Sequence, residues 1–379
     1  MQQKKIASFT GLRFIMIMFI VNTHFDGLIQ HLGHYGELQY KYTYHFFMIA
    51  VDFFFLLSGF GMMLGNLNRV SNDDLKCPSV KNGIQYAIKH VKKIYPVYIG
   101  TIFFGLIIVF LKTFNFITGK HIIKEFLKLA VNILLLQSAT GMTFFTHAYN
   151  GAAWFLSSLF CIYILSPHIM YFLRKKSKNS YVDLLFIILN IVFIVILNHL
   201  FTILENKLHG IKGIPDIDGL EYKSPYKRIF YVIIGMNVAM LVNHLNINTS
   251  VTKKTATFLE TLIVIIALVY YSLLRFYLAQ YFYSTIIEMI IVVAFLFIFS
   301  FDKGYISSFL GKPVMQTLGN MSMYIFLIHF AIIHQFMDVV YNHWGWTFAS
   351  VFIFIAIILG VTFPLSYFLY KRDINKQKA

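Results

Sequence analysis

Apolar runs of about twenty residues recur along this 379-residue chain, each long enough to cross a hydrocarbon core as a helix. No water-soluble domain combines 58% hydrophobic and 18% aromatic residues with only 13% charged ones. The expected class is therefore all-α: a polytopic transmembrane helical bundle forming one integral domain over residues 1–379, with no fused soluble domain. Spans are expected at 8–29, 44–64, 94–111, 151–173, 181–203, 228–245, 256–274, 280–300, 317–340 and 347–370. The segment 121–140 places Lys124, Glu125 and Lys128 at helical spacing and reads as an interfacial or re-entrant helix.

The net charge of +16 sits mainly in short connections between apolar runs, where Lys and Arg orient membrane proteins; this argues against nucleic acid as a partner. With ten crossings and both termini cytoplasmic, twenty basic residues fall in inner segments and eleven in outer ones. A full crossing by 121–140 would put the RKKSK cluster at 174–178 outside. The first run lacks a small-residue cleavage site and is expected to be retained. Two cysteines, Cys77 and Cys161, leave no disulfide framework or CxxC metal site, and no metal is expected.

The first span, SFTGLRFIMIMFIVNTHFDGLIQ at 8–30, is interrupted by Arg13, Asn22, His24 and Asp26. A cation at mid-membrane costs roughly 2.5–3.5 kcal/mol on insertion scales, so such residues usually face a protein interior or a water-filled cavity. Arg13 and His24 are eleven residues apart, which in a helix is three turns plus about 20°, some ~16 Å along one face. Taken singly, Arg13 could reach headgroups along its stem, and His24 could be a core histidine. The pair on one face points instead to a shared cavity.

Four further stretches carry polar groups. In YHFFMIAVDFFFLLSGFGMML, Asp52 needs a partner amid Phe, with Arg13 and His24 the nearest in sequence, while Ser58 and Gly59 permit close helix approach. In YAIKHVKKIYPVY, Lys89, His90 and Lys93 lie on about a 100° arc and could bind phosphates, or simply anchor the span. Trp154 opens the span WFLSSLFCIYILSP and has the usual position of an aromatic belt residue. His329, in LGNMSMYIFLIHF, is a second intramembrane histidine that reads more readily as structural. The outer connections 112–150 and 204–227 suit a surface for a polar substrate such as a glycan. There is no HExxH, GxSxG, Walker or GxGxxG motif.

In this order the motifs resemble the acyltransferase-3 family of integral membrane O-acyltransferases. The pieces are Arg13 with His24, FFFLLSGF at 53–60, KHVKKIYP at 89–96, WFLSSLFCIYILSP at 154–167 and GNMSMYIFLIH at 319–329. The resemblance implies transfer of an acyl group, acetyl first, from acetyl-CoA to a hydroxyl of an extracytoplasmic glycan or lipid-linked saccharide. It places His24 and Arg13 in the catalytic role, with Asp52, Ser58, Trp154 and His329 as possible support. It also implies Lys89, His90 and Lys93 as the donor site, and a multi-pass location in a bacterial inner or plasma membrane. The family's arginine triplet is replaced here by Lys, His and Lys, which lack bidentate guanidinium geometry. Ser158, Leu159 and Phe160 stand where many relatives carry acids. Without an esterase-like domain after the last span, transfer is expected to finish within the membrane domain. Succinyl transfer, or a carrier or flippase lined by Arg13, His24 and Asp52, are the alternatives.

Overall fold

A computed structural model describes residues 6–71, 74–113, 119–209, 211, 217, 219–245, 251–278, 283–345 and 347–378. Lys4, Lys5, Lys212 and residues 280–282, counted above as segment or span residues, lie outside them. All regular structure among the described residues is helical. The main elements in chain order are α1 (Ala7–His24), α2 (Phe46–Arg69), α3 (Val80–Val91), α4 (Tyr95–Thr113), α5 (Gly119–Ile133), α6 (Trp154–Lys176), α7 (Ser180–Leu208), α8 (Pro225–Leu245), α9 (Lys253–Val269), α10 (Tyr283–Phe299), α11 (Tyr305–Leu310), α12 (Pro313–Trp344) and α13 (Phe348–Lys378).

Eight helices among the described residues are long and apolar enough to cross a bilayer, and the bent pair α3–α4 is a ninth candidate. Two of the ten expected spans differ in kind from the rest. The 94–111 stretch is the second arm of that pair, bent by 71° across the turn at 92–94, with Pro96 in the first turn of α4 where its missing N–H costs nothing. Of the 280–300 stretch, the described residues form the 17-residue α10, about 25 Å of helix against a core of about 30 Å. Within 121–140, α5 exposes Ile122, Ile123 and Phe126 on one side, while Tyr98 on α4 donates to the Asn132 carbonyl (2.7 Å) on the other.

The chain divides into two compact units: residues 1–78, 168–195 and 230–322 form one, and 79–167, 196–229 and 323–379 the other. In the first unit α1 packs on α2 and α11. Its first backbone amides, at Ala7 and Ser8, donate to the Asp302 carboxylate at 3.0 and 2.9 Å, an anion where the helix dipole favours one. Gln316 donates to the Ala7 carbonyl (2.7 Å), so α1 is held at a defined height. Gly319 on α12 lets the Thr10 backbone come so close that a Cβ would meet its oxygen at 1.7 Å.

The SG of FFFLLSGF has the same physical basis. A Cβ on Gly59 would lie 1.9 Å from the Val232 carbonyl oxygen, and one on Gly235 would lie 1.9 Å from that of Leu56. The two glycines therefore let α2 and α8 touch backbone to backbone, the small-residue contact that substitutes for a hydrophobic drive in lipid. In the second unit Gly83 on α3 meets the Ile164 carbonyl of α6 in the same way. Asn82 and Ser79 form a reciprocal capping box that starts α3.

Gly59→Ala should force α2 and α8 apart and destabilise the protein by about 1–3 kcal/mol, read as a lower melting temperature in detergent. Gly61→Ala, on the same helix with open space around it, should be neutral or stabilising by up to about 1 kcal/mol. Equal melting of the two variants would exclude the close-contact role of Gly59.

Candidate functional site

In the first unit Arg13, Ile17, Ile20 and His24 form one stripe along the unbroken helix α1, at i, i+4, i+7 and i+11. Ile17 is 1% exposed and Ile20 5%, so the stripe looks into protein. Arg13 and His24 at its ends are half-buried. The His24 end is tied down beside it. Thr23 donates to the Tyr44 carbonyl (3.0 Å), and Asn22 donates to Thr43 Oγ1 (3.3 Å). Asp26 opens the next short turn, buried, with one carboxylate oxygen taken by Gln30 (2.6 Å) and the other without a partner.

Asp52 on α2 is buried, and Ser58 half-buried, its hydroxyl donating back to the Phe54 carbonyl (2.8 Å). Ser58 is thus engaged within its own helix. Around Asp52 the structure gathers groups that the sequence pairing with Arg13 or His24 did not consider. Tyr271 and Glu288 lie within electrostatic reach of it. Arg275, just beyond the π-helical turn Tyr270–Leu274, forms an ion pair with Glu288 on α10. Tyr270 bonds Glu288 Oε1 (3.4 Å), and Arg275 Nη2 touches Met48 Sδ (3.2 Å). The signal for this pair was present as two charges in an apolar region, but Arg275 reads in sequence as an outer-loop cation.

The other proposed residues belong to the second unit. Lys89 and His90, in the last turn of α3, and Lys93, in the bend before α4, are all exposed. His90 is oriented by tilted ring packing on Tyr86 (4.0 Å between centroids) and Tyr163 (5.1 Å), and its Nδ1 lies 2.8 Å from the Tyr86 carbonyl. Asp373 on α13 is within electrostatic reach of Lys93.

Trp154 is buried, not a belt residue; its ring packs on Tyr222 at 5.1 Å, and the Arg228 guanidinium lies 5.8 Å from it. The hydroxyls that follow it hold backbone: Ser157 donates to the Leu135 carbonyl (2.8 Å) and Ser158 to that of Lys223. His329 is fully buried, its Nδ1 at 2.8 Å from the Ile325 carbonyl, which fixes that nitrogen as a donor. Nearby, Asn150 donates to the Leu327 carbonyl (2.9 Å) and to Thr101 (3.0 Å). Burial, with Glu125 alongside, pushes the Tyr149 phenol well above its usual range, so it acts as a neutral donor to Glu125 Oε2 (3.0 Å).

A chain whose described residues are all helical or irregular, with several helices long and apolar enough to span, is a multi-pass membrane protein. The family model described as an acyltransferase domain, acyltransferase 3, matches residues 6–371, and the chain belongs to that family. Curated proteins and solved structures gave no match.

Arg275→Met strands Glu288 as a buried unpaired charge and should destabilise the protein by about 3–5 kcal/mol. The double variant Arg275→Met with Glu288→Leu should recover most of that loss. Thermal melting in detergent checks both, and a single variant as stable as the parent would refute the pairing.

Proposed function

We propose that this membrane acyltransferase moves an acyl group, acetyl first, from cytoplasmic acyl-CoA to a hydroxyl of an extracytoplasmic or membrane-associated glycan. The observation that carries this is the inward stripe on α1, where Arg13 and His24 flank two buried isoleucines in a chain of the acyltransferase family. His24 acts as general base. It takes the proton as the acceptor oxygen attacks the thioester carbonyl, the carbon–sulfur bond breaks, and the proton passes to the departing CoA thiolate. A covalent acyl-His24 intermediate would divide the same transfer into two steps. Arg13 lines the path of the thioester and supplies positive charge toward the carbonyl oxygen as it gains negative charge.

Lys89, His90 and Lys93 hold the donor's phosphates. Their exposure and the fixed ring of His90 support that role, and the absence of a guanidinium fork implies point-charge attraction. Family membership favours transfer over a carrier or flippase. A succinyl donor would use the same chemistry, and competition between acetyl-CoA and succinyl-CoA distinguishes the two. The bacterial inner membrane or a plasma membrane is the proposed location.

His24→Ala should lower transfer from labelled acetyl-CoA to the surface glycan by about 10²–10⁴-fold, and Arg13→Ala should abolish it, with membrane insertion unchanged in both. Lys89→Gln with Lys93→Gln should raise the KM for acyl-CoA several-fold, an effect that fades as salt rises. Full transfer by the His24 variant would overturn the scheme.

A further inference from the structure

In the first unit the buried groups around Glu288 include three polar atoms that no protein atom satisfies: Tyr271 Oη, Arg275 Nη1 and His45 Nε2. Their residues are 0%, 8% and 8% exposed. Leaving such an atom without a partner is unfavourable, and one alone could be an accident of packing. Here three converge. Tyr271 lies within electrostatic reach of Asp52, Glu288 and Arg275, and His45 within reach of Arg275.

The local backbone is irregular at the same place. Tyr40–Tyr44 and Tyr270–Leu274 are both π-helical and pack against each other, a form that recurs at functional sites in helices. The ring of His45 is held in place by Tyr44 (5.5 Å) and Phe276 (6.4 Å). This neighbourhood lies at the His24 end of α1, since Thr23 bonds the carbonyl of Tyr44 in the first of these π-helical turns.

We propose that Tyr271, Arg275, Glu288 and His45 form the subsite that grips the acceptor, and that the group it takes is a neutral polyhydroxy unit, a sugar ring. This rests on acyl transfer to a hydroxyl as proposed above. Arg275 and Tyr271 offer unspent donors, while Glu288 offers a carboxylate, so the site asks for a group that accepts and donates at once. A hydroxyl does both. A phosphate gives the carboxylate nothing, and an ammonium gives the guanidinium nothing. Neighbouring hydroxyls of one ring can accept from Arg275 and Tyr271 and donate to Glu288. These four are positioning residues, with the reacting atoms held by His24.

Tyr271→Phe is the decisive variant, because its hydroxyl has no protein partner and its loss breaks no bond within the fold. The assay uses the full chain in proteoliposomes, acetyl-CoA as donor, and the source cells' own surface polysaccharide, stripped of O-acyl groups by mild alkali, as acceptor. Tyr271→Phe and Arg275→Lys should each raise the KM for polysaccharide about five- to tenfold, while the KM for acetyl-CoA stays within twofold. Melting of the Phe variant should match the parent. If the parent transfers acetyl and both variants keep its polysaccharide KM, the subsite is refuted and acyl transfer stands. If the parent transfers no acyl group from acetyl-CoA or succinyl-CoA, both proposals fall together.

Discussion

A hydrocarbon core offers no water to polar groups, and that constraint orders this molecule. Every charge carried into an apolar helix must be answered by protein, and the answers are specific. Asp302 meets the amides that begin α1, Glu288 pairs with Arg275, and Glu260 accepts from the amides of Gly304 and Ser307 at the start of α11. Because α11 and α12 both brace α1, these polar latches fix the helix that bears Arg13 and His24. α1 is thus braced by residues outside it.

Close backbone contact is the second device. Lipid removes the hydrophobic drive between helices, so α2 and α8 meet through Gly59 and Gly235, and α12 meets α1 at Gly319. The close approach expected of Gly59 finds its partner here, and Gly319 takes a like role. Gly59 and Gly319 are the places where a side chain cannot be accommodated, which explains them without recourse to catalysis. Trp154 is a comparable case, an edge residue by position that packs beneath Arg228 and Tyr222.

Much of the architecture was legible, since hydropathy over twenty residues is a strong signal and helix periodicity alone puts Arg13 and His24 on one stripe. The weak points were those where length and neighbourhood compete. The bend of 71° before Tyr95 depends on local turn geometry that a hydropathy window averages away. Asp52 shows the larger gap. Sequence proximity names Arg13 and His24 as its candidate partners, and that Glu288 also lies within electrostatic reach of it follows from α2 and α10 lying side by side. Arg275 looked like an orienting charge for the same reason, its partner being invisible until the helices packed.

The sequence by itself determined the all-helical membrane class, the family and the face shared by Arg13 and His24, because each follows from composition, order or period within one segment. Tertiary structure decided that this face turns inward, that glycines set how closely α2 and α8 meet, and that Arg275 and Glu288 neutralise each other. Those outcomes join segments far apart in the chain, and the free energy that selects them, burial and pairing of charge away from water, exists only once the helices are in contact.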